Sequence, residues 1–186
     1  MPYRKSKFQV GCYYHIYNRG NNRQLIFFER DNYLHFLRQL RRHLVSHGID
    51  IVAYCLMPNH YHLLVYLNAE NLSQRMQAFS LSYTKAINQR YQRVGSLFQG
   101  RFQAIHVNKE EYLLNLTRYI HLNPVAANLV KNAEDWEFSS CRDYLNLRPG
   151  RLPRLDRIAF ESADAYQVFL EDGVNTGAIQ GFTFDE

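Results

Sequence analysis

Four side chains carry most of the chemistry this sequence offers: His60 and His62 in MPNHYHLLVYL, and Tyr119 and Asn123 in RYIHLNPVAANLV. Residues two apart in a strand project to the same face, so His60 and His62 can bring both imidazoles to one divalent ion. Residues four apart on a helix also share a face, with Cβ atoms about 5–6 Å apart. That spacing sets a phenol able to act as a nucleophile, Tyr119, beside a carboxamide able to ligate a metal through oxygen, Asn123. Neither pair is specific by itself. An isolated H-x-H is more often the polar face of a half-exposed strand, and a lone tyrosine more often a half-buried core aromatic. Pro124 biases the residue before it away from α-helix, which places Asn123 in a final or kinked turn. Tyr112, seven residues before Tyr119 on nearly the same helix face, is a rival phenol, but Leu116 stands where a polar partner would be needed.

These residues need elements to hold them. CYYHIYNRG (12–20) reads as a strand ending in a turn. From Asp31, Tyr33, Phe36, Leu37, Leu40 and Leu44 recur at helical spacing, and Gly48 is a natural stop. IDIVAYCLM (49–57) and HYHLLVYL (60–67) are apolar runs separated by Pro58-Asn59, so they pair as antiparallel neighbours, with Tyr61, Leu63 and Val65 turned away from the histidines. Asn71 and Gln74 resemble a capping box opening a helix that runs to about Gly95. SLFQGRFQAIHV (96–107) supplies a fourth strand and KEEYLLNLTRYIHLN (109–123) a further helix. The order β-α-β-β-α-β is the ferredoxin-like α+β arrangement, an antiparallel sheet with both crossover helices on one face. The helix carrying Tyr119 is then the candidate to lie near the other face. Residues 1–147 read as one domain and 148–186 as a partly helical tail, with PGRLP (149–153) as a linker.

The bulk properties set the partners. Lys plus Arg outnumber Asp plus Glu by 22 to 17 in 186 residues, a surplus that favours a polyanion such as nucleic acid. Arg4, Lys5, Lys7, Asn18, Arg19 and Arg101 are the candidate DNA contacts, and the 14 Tyr and 12 Phe include rings that could stack unpaired bases. Cys12, Cys55 and Cys141 are scattered without C-x-x-C spacing, which excludes a cysteine zinc site and suggests reduced thiols. Without an N-terminal apolar stretch or a long apolar run, the expected setting is the cytoplasm.

With both motifs in view, the chain resembles a known group. MPNHYHLLV resembles the histidine–hydrophobic–histidine motif of single-tyrosine (HUH) DNA endonucleases, and RYIHLNPVAANLV resembles the tyrosine helix of the REP-associated tyrosine transposases and their insertion-sequence relatives. YHIYNRGNNRQLIF, SLFQGRF and WEFSSCRDYL agree, so the likeness spans roughly residues 8–147, more weakly reaching AYQVFLEDG. Two linked motifs in order are far more specific than either alone. The resemblance implies a Mg²⁺ or Mn²⁺ ion and cleavage of hairpin-bearing single-stranded DNA through a 5′-phosphotyrosine. By position it makes His60, His62 and Asn123 the metal ligands and Tyr119 the nucleophile; His15, His106 and His121 read as structural or surface residues, His121 because it points away from Tyr119 and Asn123 on a helix. Relatives include dimers that exchange the tyrosine helix and monomers that keep it; the long segment after the helix here favours a monomer. One departure is Ala126, where an arginine is common. The competing reading is a non-catalytic or domesticated nucleic-acid-binding module on the same RRM-like fold.

Overall fold

In the computed structural model, which describes residues 8–150, 152–158 and 160–172, the antiparallel sheet begins with β1 (Tyr13–Arg19), one of its two inner strands. It continues through α1 (Arg30–His43), β2 (Ile49–Met57), β3 (His60–Leu67), α2 (Leu72–Arg90) and β4 (Gln103–Val107), with strand order β2-β3-β1-β4. This is the expected ferredoxin-like topology. Of the predicted fourth strand, only the second half joins the sheet as β4; before it, Phe98 makes one isolated bridge to Gly20.

Both faces of the sheet are covered. On the first, Tyr14, Ile16, Ile51, Tyr54, Tyr61, Leu63 and Val65 meet Phe36 and Leu40 of α1 and Met76, Phe79 and Tyr83 of α2. On the second, α3 (Glu110–Ala126) lies over β2 and β3 with Leu113, Leu116 and Ile120 inward, joined by α4 (Cys141–Tyr144) and α5 (Ala163–Glu171). Residues 152–158 are part of this layer. Ile158 is buried in it, Leu152 is buried with the first core, and the Arg154 amide donates to the Ile51 carbonyl at 2.8 Å. The edge of β2 is closed further along by Leu56 N to Phe138 O at 3.0 Å and Ser140 N to Tyr54 O at 2.9 Å. Covered on both faces and along its edge, β2 is buried throughout, which is why it is apolar at every position but Asp50, whose carboxylate pairs with Arg157 at 2.7 Å.

Two local expectations are corrected. Asn71 stands at the N-cap of α2, but its side chain does not cap; Nδ2 donates instead to the His47 carbonyl at 3.2 Å, tying the helix start to the turn after α1. Around Pro124 the helix does not stop: α3 runs on to Ala126 with the proline inside, so Tyr119 and Asn123 keep helical i, i+4 geometry. Gly48 does end its segment, in the left-handed conformation at φ 77°.

Candidate functional site

The register of the sheet collects the polar residues of its second face. β3 alternates without interruption, so Tyr61, Leu63 and Val65 enter the helix-covered core while His60, His62 and Leu64 face α3. β1 pairs with β3 so that Tyr17 lies opposite His62, Arg19 opposite His60 and His15 opposite Leu64. Directly opposed residues share a face. His15, Tyr17, His60 and His62 therefore belong to one patch, and the ring centroids of His15 and His62 are 5.1 Å apart, those of Tyr17 and His62 6.0 Å.

From above, α3 lowers Tyr119 and Asn123 onto this patch. The Tyr119 ring stands edge-on to His62 with centroids 5.5 Å apart, and Asn123 Oδ1 is 3.2 Å from His60 Nε2. A single chain thus brings together all four residues singled out for chemistry. Tyr112 lies two turns earlier, about 10 Å along the helix axis, with the Lys109 ammonium 5.7 Å from its ring centre.

Burial keeps the imidazoles neutral. His62 is fully buried and held well below the ordinary histidine range by desolvation, with His15 and His60 as further unfavourable neighbours for a positive charge. His60, half-buried at the rim, is pushed down to about 4, again mainly by desolvation. Neutral rings offer lone pairs, the state a metal needs. At His60 the hydrogen bonding is over-subscribed with acceptors: Nδ1 is 2.7 Å from Asn59 Oδ1 and Nε2 is 3.2 Å from Asn123 Oδ1. A neutral imidazole has one N–H. It can donate to Asn59, leaving the Nε2 lone pair facing the Asn123 oxygen, and a cation between those two atoms satisfies both; rotating the Asn123 amide does so without an ion. Two imidazole nitrogens and one amide oxygen fit a transition ion such as Mn²⁺ more closely than Mg²⁺, which is held mainly by oxygen. Among the described residues no group of three or more His, Cys, Asp or Glu is placed to share an ion, so a third protein ligand beside the two histidines would have to be of another type, such as the Asn123 amide.

The predicted DNA contacts divide. Arg19 is half-buried beside His60, with Nε on the Gln99 side chain, and Arg101 is exposed in the loop before β4. Asn18 is corrected: it is buried, its Nδ2 donates to the Gly100 carbonyl at 3.1 Å and its Oδ1 accepts from the Arg19 amide at 2.9 Å, so it holds the loop instead of facing a ligand. Arg4, Lys5 and Lys7 lie outside the described residues. Ala126 is exposed near the end of α3. His121, on the opposite side of the helix, is buried between Tyr166 Oη and Ser140 Oγ and is structural. Reading the sequence missed one residue and set another aside as structural or surface. Asn59, in the turn between β2 and β3, is fixed by Gly20 N to Asn59 O at 2.7 Å and engages His60. His15 has Nε2 2.9 Å from His62 Nδ1. Its alternation with Tyr17 along β1 was visible, but which strand lay beside it was not.

Comparison with known proteins identifies the family and the fold. A family model described as "Transposase IS200 like" matches residues 8–123, ending on the candidate ligand Asn123. A REP-associated tyrosine transposase of Haemophilus influenzae is 27% identical over 121 residues, covering 59% of this chain and 69% of its own. Among solved structures, a REP-associated tyrosine transposase bound to a REP hairpin superposes with a TM-score of 0.64 at 21% identity, over 87% of this chain and 96% of that one, a likeness of fold.

Proposed function

On the premise that the chain belongs to the IS200-like transposase family, as the match over residues 8–123 shows, we propose that it cleaves and rejoins single-stranded DNA beside hairpins in a metal-dependent reaction. The observation that carries this is the convergence of Tyr119 on His62 and of Asn123 on His60, from α3 and β3 with α2 and β4 between them in the chain. His60, His62 and Asn123 would hold Mn²⁺ or Mg²⁺. Such an ion, when bound, acts as a Lewis acid on a non-bridging phosphate oxygen and lowers the barrier by several kcal/mol.

The chain's own residues do the rest. The Tyr119 hydroxyl gives up its proton to solvent as its oxygen attacks phosphorus, the bond from phosphorus to the 3′ oxygen breaks, and that oxygen leaves and takes up a proton to become a 3′-OH. The 5′ phosphate stays esterified to Tyr119, so the phosphodiester's energy is kept for attack by a second 3′-OH, which a water nucleophile would forfeit. Arg19, opposite His60 in the sheet, and Arg101, exposed in the loop before β4, would contact phosphates. Hairpin DNA as substrate is supported by the hairpin-bound relative. Assembly of all four residues within one chain supports a monomer acting in cis.

The test is incubation with hairpin-bearing single-stranded DNA and Mn²⁺ followed by a denaturing gel. A covalent adduct is expected, lost in Tyr119→Phe, and lost in His60→Ala with DNA binding retained. Binding without any adduct across hairpin substrates would instead identify a non-catalytic hairpin-binding module, and an adduct surviving Tyr119→Phe would transfer the nucleophile's role to Tyr112.

A further inference from the structure

We infer that His15 is a positioning residue for this site, holding His62 in the one tautomer and ring orientation that can ligate a metal. The inference rests on the metal-site reading above. His15 is fully buried on β1, in the same sheet face as His62, with Nε2 2.9 Å from His62 Nδ1. The two rings lie within 17° of parallel, so the contact is directed from nitrogen to nitrogen.

One proton occupies a hydrogen bond between two neutral imidazoles, and its owner decides what His62 can do. If His15 donates, His62 accepts through Nδ1 and carries its own proton on Nε2, and it cannot ligate through either nitrogen. If His62 Nδ1–H donates to His15, Nε2 of His62 keeps an unprotonated lone pair able to ligate a metal. Metal-ligating histidines commonly donate their second N–H to a carbonyl or carboxylate, and removing such a partner costs 10–100-fold in metal affinity. Here a second histidine fills that place. A buried imidazole is an economical choice in this position, because it accepts one hydrogen bond without adding a charge to a site whose candidate protein ligands are all neutral. At His60 the analogous partner is the Asn59 carboxamide oxygen, 2.7 Å from Nδ1. Both candidate ligands are thus braced through Nδ1, one by an adjacent strand and one by the turn that precedes it.

The experiment measures Mn²⁺ binding to the full chain, without DNA, by titration calorimetry and by Mn²⁺ electron paramagnetic resonance. His15→Leu keeps the volume and removes the acceptor, and His15→Gln returns an oxygen near the position of Nε2. His15→Leu should raise the Mn²⁺ Kd roughly 10–100-fold, with covalent adduct recovered at saturating Mn²⁺. His15→Gln should restore most of the affinity at a melting temperature close to that of His15→Leu, a pattern a purely structural role would not produce. Wild-type affinity in His15→Leu overturns the inference, as does equal loss of affinity in the Leu and Gln variants. Failure of the underlying reading is distinct: the wild-type chain would then bind no Mn²⁺, or His60→Ala would bind it unchanged.

Discussion

At His60 two amide oxygens approach one ring, and at His62 a second imidazole does. Both are costly arrangements unless the protons are shared out in a definite way, and the sharing that leaves both Nε2 atoms bare is the one a cation would require. This makes Asn123 testable by itself. Replacing it with alanine should raise the Mn²⁺ concentration for half-maximal adduct by at least roughly 10-fold, the lower end of what even an outer partner contributes; an unchanged Mn²⁺ requirement would remove Asn123 from the ligand set. Tyr112→Phe should leave adduct yield within about twofold of wild type, since that ring lies two turns, on the order of 10 Å, from Tyr119.

The element that matters most is α3, because it carries two of the four residues and must dock in register. Its docking is fastened on the far side by His121, held between Ser140 and Tyr166. Burial pushes His121 down to about 3. The unfolded chain would protonate this residue below about 6.5 while the folded chain resists, so the unfolded state binds more protons across that range. Stability contributed by neutral His121 is therefore present above pH 6.5 and is lost as pH falls toward 3, by up to about 1.4 kcal/mol per pH unit. The urea midpoint should drop between pH 7 and pH 5, more shallowly in His121→Gln; identical slopes in the two proteins would refute the assignment. Removing the Tyr166 hydroxyl with Tyr166→Phe leaves His121 Nδ1 buried without that partner and should cost about 1–3 kcal/mol in chemical denaturation.

For the whole molecule, the consequence is that the family match ends at residue 123 while the layer supporting α3 runs on to residue 170. Tyr144, Ile158, Tyr166 and Leu170 complete the second core, and the Arg118 guanidinium lies 3.9 Å from the centre of the Phe169 ring. Arg148 pairs with the buried Asp143 at 2.5 Å and donates to Tyr54 Oη at 2.7 Å, joining this segment to β2. A chain ended after Leu147 loses that partner of Asp143 as well as α5. Breaking a buried pair costs about 3–5 kcal/mol, and at about 2–4 °C per kcal/mol calorimetry should show melting lowered by roughly 10 °C or more. Melting at the full-length temperature would show that 148–186 is an independent tail after all. Among the described residues no helix is long and apolar enough to cross a membrane.

Local spacing was enough to reveal His60 with His62 and Tyr119 with Asn123, because strand and helix periodicities are properties of the backbone and need no tertiary contact. The βαββαβ order was legible for the same reason. The bulge in β2 was not: the register shifts between Ile51 and Ala53, so Ile49 and Ile51 face α1 and α2 but Tyr54 and Leu56 do as well, and no simple alternation in IDIVAYCLM predicts that. Nor was His15, whose place beside His62 depends on the pairing of β1 with β3 across 47 residues of chain. The linker-like PGRLP gave no sign that it leads into a layer packed against β2. Spacing along one element determines which side chains share a face, and the sequence alone supplied that; which faces meet is decided by packing between distant segments, and only the folded chain could show it.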